Sequence, residues 1–245
     1  MSPRRATKNP AALSYYVMRR AVGIIALSLP LALACGTVVL SLIGPHHTLP
    51  QPILQRSVSD YYYTPMGGYL VGNLFAIAAF LVCTRGYDLR DEIAGYLSGF
   101  FTFGVALLPS PNPGSLYHSK LQVDLGYAHS AFAALMYLAL AYFCLVLFRR
   151  TSPEKKLTRR KQHRNRIYGA CGGVIVVCML VMTGLPLDGF ARMLAPINPL
   201  FTAETLGLAA FGVAWLTKGE GILRDKPQNH DHPLKASSEH LQSVS

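Results

Sequence analysis

The sequence predicts an all-α polytopic membrane protein, with six transmembrane helices in one bundle and both termini cytoplasmic. Three observations predict it. Six long apolar runs, 20–43, 66–84, 92–108, 126–148, 167–186 and 200–217, each come near the ~20 residues that cross a bilayer. Hydrophobic residues make up 51% of the chain and charged residues only 14%, a balance suited to lipid rather than water. If all six runs span, every Lys and Arg except Arg56, Lys120 and Arg192 falls on one side. The positive-inside rule makes that side the cytoplasm and the membrane an inner, cytoplasmic one.

In chain order, residues 1–19 read as a basic cytoplasmic tail, 20–217 as the six-helix transmembrane domain, and 218–245 as a polar cytoplasmic tail expected to be disordered. Helix one contains Pro30, which membrane helices tolerate as a kink. Its Ala34-Cys35-Gly36 superficially resembles a lipoprotein cleavage site. Ala32 and Leu33 stand in the wrong order for that pattern, however, and apolar sequence continues to Ile43, so the helix is expected to stay uncleaved. The first outward loop, 44–65, contains Pro45, Pro50 and Pro52 and ends in Ser57-Val58-Ser59-Asp60-Tyr61-Tyr62-Tyr63. An inward turn, RGYDLRDE, joins helices two and three, and its Arg85, Asp88, Arg90, Asp91 and Glu92 read as a charged turn that caps helix three. The second outward loop, 109–125, is rich in Pro, Gly and Ser and carries His118 and Asp124. The inward loop 149–166, RRTSPEKKLTRRKQHRNR, is the densest basic block. A compact outward turn around Pro186, Asp188, Arg192 and Pro199 then leads into helix six.

The net charge of +11 would suggest nucleic acid in a soluble protein, but topology already accounts for it here, and no nucleic-acid partner is expected. The 149–166 block is instead expected to meet acidic headgroups, at roughly 1 kcal/mol per basic residue near the surface. All five cysteines lie in or at the edge of apolar runs, and there is no CxxC, so a disulfide framework is not expected. Cys171 and Cys178, seven apart, are expected to share a core-facing stripe of one helix. Gly68 and Gly72, Gly95 and Gly99, and Gly169 and Gly173 are each four apart, a spacing that lets membrane helices approach closely. Packing inside the bundle is the expectation for these pairs, with a homo-oligomer through one of them as the alternative.

With the orientation fixed, polar residues sort by depth. Ser59 and Asp60 precede helix two, Asn73 lies two turns into it, His129 and Ser130 lie about one turn into helix four, and Thr202 and Glu204 open helix six. Thr37, Ser41 and Thr102 reach the same outer level from helices one and three. An ionisable group at membrane depth costs at least ~2.5 kcal/mol and persists where it pairs or works. Asp60, His129 and Glu204 are therefore the candidate catalytic residues, and Ser59, Asp60, Tyr62, Asn73, His129 and Glu204 the candidate ligand-binding set. Structural alternatives stand beside them. His129 would hydrogen-bond Glu204 or Asp60 to tie helices together, Asp60 would cap a helix or turn, and Tyr61 to Tyr63 would belong to the interfacial aromatic belt.

Ser57-Val58-Ser59-Asp60 before helix two resembles the "ISD" element of six-helix proteins of the damage-regulated autophagy modulator class. The chain also resembles a bacterial family of unknown function, in which a His in helix four and an acidic residue opening helix six recur, here in Gly126-Tyr127-Ala128-His129 and Thr202-Ala203-Glu204-Thr205. The resemblance covers roughly 20–220 and implies a six-helix bundle with a membrane role but no particular activity. A fainter one is to the ceramidase and adiponectin-receptor hydrolases, whose paired histidines on the last helix are missing here, together with one helix.

The leading expectation is a non-enzymatic inner-membrane protein that binds a lipid or small amphiphile in an outward-facing polar pocket, without a cofactor. One alternative is a zinc hydrolase of lipids or amides, with His129, Asp60 and Glu204 holding the ion and water filling the open position. The other is a proton-coupled transporter using the Glu204 and His129 pair.

Overall fold

The computed structural model describes residues 10–44, 52–84, 88–112, 114–115, 119–150, 158–185 and 188–219. The expectations placed on Arg85, His118, Pro186, the middle of the basic block and the C-terminal tail lie outside these residues. The described chain is all-helical: α1 (Pro10–Ile43), a 3-10 turn (Ser59–Tyr63), α2 (Gly67–Val82), α3 (Leu89–Leu107), α4 (Lys120–Tyr142), α5 (Arg159–Gly184), a short α6 (Asp188–Leu194) and α7 (Pro199–Lys218). Four helices are long and apolar enough to cross a membrane: α1, α4 with its π-turn extension Phe143–Leu147, α5 and α7.

Local chemistry sets the boundaries, and it moves several of them from where hydropathy put them. Helix four begins at Lys120 rather than 126, because Ser119 and Gln122 form a reciprocal capping box. His129 is consequently more than two turns inside the helix instead of one. The Thr158 hydroxyl caps α5, so Arg159 to Arg166, expected as loop, form its opening turns. Asp88 caps α3 by accepting from the Asp91 N–H, as the charged turn suggested. Asn198 sits at φ 47°, a left-handed conformation that Asn tolerates, and turns the chain into α7 behind Pro199.

The six long helices close a ring in chain order: each packs on the next, and α7 returns to α1 and α5. In lipid such contacts rest on van der Waals fit, so small residues decide where backbones meet. A Cβ on Gly99 would lie 2.8 Å from the Ala78 carbonyl, and one on Gly95 2.9 Å from that of Leu81, which brings α3 directly against α2. Between α1 and α7 the pair is Gly23 and Gly212, each facing the other's carbonyl at 2.8 Å, a contact that the four-residue spacing did not reveal. Gly68, Gly72, Gly169 and Gly173 face open space, so internal packing describes only the Gly95 and Gly99 pair. Cys171, Ile175 and Cys178 form one buried stripe of α5, as their spacing implied.

The two ends of the ring differ. At the basic end the Arg20 guanidinium donates to the Gly219 carbonyl at 2.8 Å, and Arg150 at the end of α4 bridges Asp88 and Asp91 of α3 at 2.6 and 3.4 Å. Just inside it, Phe143, Phe148, Tyr168, Phe211 and Trp215 stack into one aromatic cluster. The opposite end carries the 3-10 turn and the polar residues of interest.

Candidate functional site

The segment 55–64 lies across the 3-10 end of the ring and is pinned at four places. Asn198 Nδ2 donates to the Gln55 carbonyl at 2.9 Å, and the Val58 N–H donates to the Glu204 carboxylate at 2.5 Å. The Ser57 hydroxyl accepts the Asp60 N–H at 2.9 Å and so closes the turn's first orphan donor. At the far side the Thr64 hydroxyl donates to the Tyr61 carbonyl at 2.7 Å and receives that of Thr37 from α1 at 3.3 Å.

This anchoring turns Ser59 toward α4. Its hydroxyl lies 3.1 Å from His129 Nε2, while His129 Nδ1 is bonded to the Leu108 carbonyl at the end of α3. A carbonyl only accepts, so Nδ1 carries the proton, and in the neutral ring Nε2 is left to accept from Ser59. His129 is 8% exposed and Ser59 half-buried. The expected partners of His129, Glu204 or Asp60, are thus replaced by a serine hydroxyl and a backbone carbonyl.

Asp60 and Glu204 have separate duties. Asp60 Oδ2 receives Arg56 Nε at 3.3 Å and Oδ1 receives the Ser110 hydroxyl at 3.2 Å, so its carboxylate ties the turn to the α3–α4 connection and caps no helix. Glu204 serves the Val58 amide, and its own carbonyl accepts the Tyr137 hydroxyl at 3.1 Å, locking α4, α7 and the loop together. Asn73 donates to the Tyr69 carbonyl of its own helix at 2.8 Å and does not join the cluster. Among the described residues, no three His, Cys, Asp or Glu side chains are grouped to hold a metal ion.

The three tyrosines divide as well. Tyr61 is fully buried against Phe201 rather than part of a surface belt, whereas Tyr62 and Tyr63 are exposed. The Tyr63 hydroxyl donates to the Ser110 carbonyl. Burial pushes its phenol above the ordinary value of 10.0, with Tyr62 and Asp60 adding to the shift, so it stays a donor. Ser59, Tyr62, Pro109, Ser110 and His129 line a small recess floored by apolar residues of α2 and α3, with room for about one water molecule.

Sequence reasoning missed Ser110, the Leu108 carbonyl and the anchoring role of Ser57. The only signal for Ser110 was its place between two prolines, Pro109 and Pro111, which stiffen that connection. No protein-family model matches the chain, no curated protein matches it in sequence, and no solved structure matches it in fold.

Proposed function

We propose that the protein is a six-span inner-membrane protein with cytoplasmic termini, and that its outward-facing 3-10 end binds the headgroup region of a lipid or small amphiphile. The observation that carries this reading is the convergence of Ser59, Tyr62, Ser110 and His129 on one recess at the end opposite the basic segments. The recess itself admits little more than a solvent-sized group. The ligand's polar portion therefore sits at its mouth, where Arg56, exposed apart from its bond to Asp60, offers a cation to a phosphate or carboxylate. Exposed Tyr62 and Tyr63 supply amphipathic ring area at the height where headgroups meet acyl chains. At the other end, the helical Arg159–Arg166 segment and the inner leaflet's acidic lipids hold the bundle in register.

The test is native mass spectrometry of the full chain released from nanodiscs of mixed phospholipid. Retained lipid should fall about tenfold in Arg56→Gln and in Tyr62→Ala, equivalent to losing roughly 1.4 kcal/mol. Asn73→Ala should retain it fully, because Asn73 bonds to its own helix. Equal retention in all three variants would sink the assignment.

A further inference from the structure

We propose that Ser59 is a nucleophile activated by His129, and that it takes the acyl group of a carboxylic ester carried by an amphiphile at the 3-10 end. The inference rests on the reading of that recess as the place where such a molecule docks, and it deepens it from binding to chemistry.

Ser59 and His129 are 70 residues apart, and no short motif joins them. The end of α3, the 3-10 turn and the third turn of α4 bring them together. The Leu108 carbonyl at the end of α3 accepts a hydrogen bond from Nδ1–H and fixes the imidazole so that Nε2 presents its lone pair to the Ser59 hydroxyl 3.1 Å away. Nucleophilic catalysis needs that arrangement: an acceptor nitrogen within hydrogen-bond reach and a third group that sets its tautomer. Here the base is buried, while the nucleophile is half-exposed and faces the recess. Asp60, next in sequence to Ser59, keeps its carboxylate on the same turn. Arg56 and Ser110 hold that carboxylate in place, so Asp60 positions and does not react. Ser110 and Tyr62 bring the other hydroxyl groups that line the recess.

The step balances within the site and water. Ser59 Oγ attacks the ester carbonyl carbon and its proton passes to His129 Nε2. The tetrahedral adduct expels the alkoxide, which leaves as an alcohol by taking that proton. A water molecule then gives a proton to Nε2 and its oxygen to the acyl carbon. Ser59 Oγ departs and recovers the proton from Nε2, and a carboxylic acid is released.

An alkyl fluorophosphonate tests this on the full chain in nanodiscs, because the same attack expels fluoride and leaves a stable phosphonyl adduct. Intact mass and peptide mapping should show one adduct, on Ser59. It should be absent in Ser59→Ala and form at least about 100-fold more slowly in His129→Gln, the loss expected when a general base is removed. Thermal unfolding of each variant, read in parallel, confirms that the comparison is between folded proteins. A natively folded protein without an adduct on Ser59, or a labelling rate indifferent to His129→Gln, overturns the proposal. Lipid retention measured on the same samples separates the two readings. Lipid retained without an adduct leaves the docking site standing and removes the nucleophile. An adduct without retained lipid does the reverse, and neither signal removes both.

Discussion

Replacing Glu204 should release the 3-10 turn from α7, and the size of the effect follows from one bond. Glu204 Oε2 accepts the Val58 N–H at 2.5 Å, and Val58 is itself buried. An amide left buried without an acceptor costs about 1–3 kcal/mol. Taking ~2 kcal/mol for Glu204→Ala, the local opening equilibrium of the turn rises about 30-fold, with RT at ~0.59 kcal/mol. Glu204→Gln keeps an amide oxygen in the same place and leaves the Val58 N–H paired. It should lose at most ~0.5 kcal/mol, about twofold. Amide hydrogen exchange of the segment 57–61 in detergent reads this directly. Its rates should order as wild type, then Gln, then Ala, while the central turns of α5 stay unchanged. Identical exchange across the three proteins would show that the carboxylate does not hold the turn, and the account of how Ser59 is aimed would fail with it.

Two further perturbations probe the bundle. Gly212→Ala drives a methyl against the Gly23 carbonyl at 2.8 Å and should destabilise the α1–α7 contact by ~1–3 kcal/mol. Gly72→Ala meets nothing within 4 Å and should be neutral or up to ~1 kcal/mol stabilising through helix propensity. The thermal unfolding midpoint in micelles should therefore fall for Gly212→Ala and hold or rise for Gly72→Ala. At the basic end the Arg150 guanidinium bonded to Asp88 holds its carboxyl at about 2, down from 3.8. A carboxyl depressed in the folded state stabilises above its unfolded value, and that contribution is lost as pH falls through the folded one. Asp88 should accordingly stay ionised between pH 3.8 and about 2, with its carboxyl carbon titrating near 2 by NMR and moving back toward 3.8 in Arg150→Gln.

The helices were legible because membrane burial writes itself as length and hydropathy: each of the six apolar runs lies largely within one of the long helices. Their ends were not, because a cap such as Ser119 or Thr158 acts over three residues and outweighs the hydropathy trend across it. The depth argument gathered Ser59, Asp60, His129 and Glu204 at one end, where the structure also has them. It did not reveal who touches whom, since period and depth place a residue on a level and leave its rotation about the helix open. Asn73 shows the limit, being at the right level but bonded to its own backbone. The Leu108 carbonyl shows another: a backbone acceptor has no letter in the sequence, yet it decides the tautomer of His129.

The proposed six-span topology turns on the two helices that look least like spans. At 1.5 Å per residue, α2 with 16 residues and α3 with 19 reach only about 24 and 28 Å, short of the ~30 Å hydrocarbon core. Charged Arg90, Asp91 and Glu92 in the opening turn of α3 keep its hydropathy low. Yet α3 is tied to α4 near both ends, through Leu108 to His129 and through Asp88 and Asp91 to Arg150. The helix α4 with its π-turn is a 28-residue apolar segment, so if it crosses, its partner runs beside it through nearly the same depth. The charges of α3 then lie at the surface that also holds Arg150, and modest local thinning of the bilayer accommodates the length. Single cysteines in a cysteine-free background, Leu89→Cys at the start of α3 and Gly114→Cys beyond its end, should react with a membrane-impermeant maleimide from opposite sides, the first from the cytoplasm. Labelling of both from one side would mean that α2 and α3 form a re-entrant hairpin dipping in from the 3-10 end, and that only α1, α4, α5 and α7 cross.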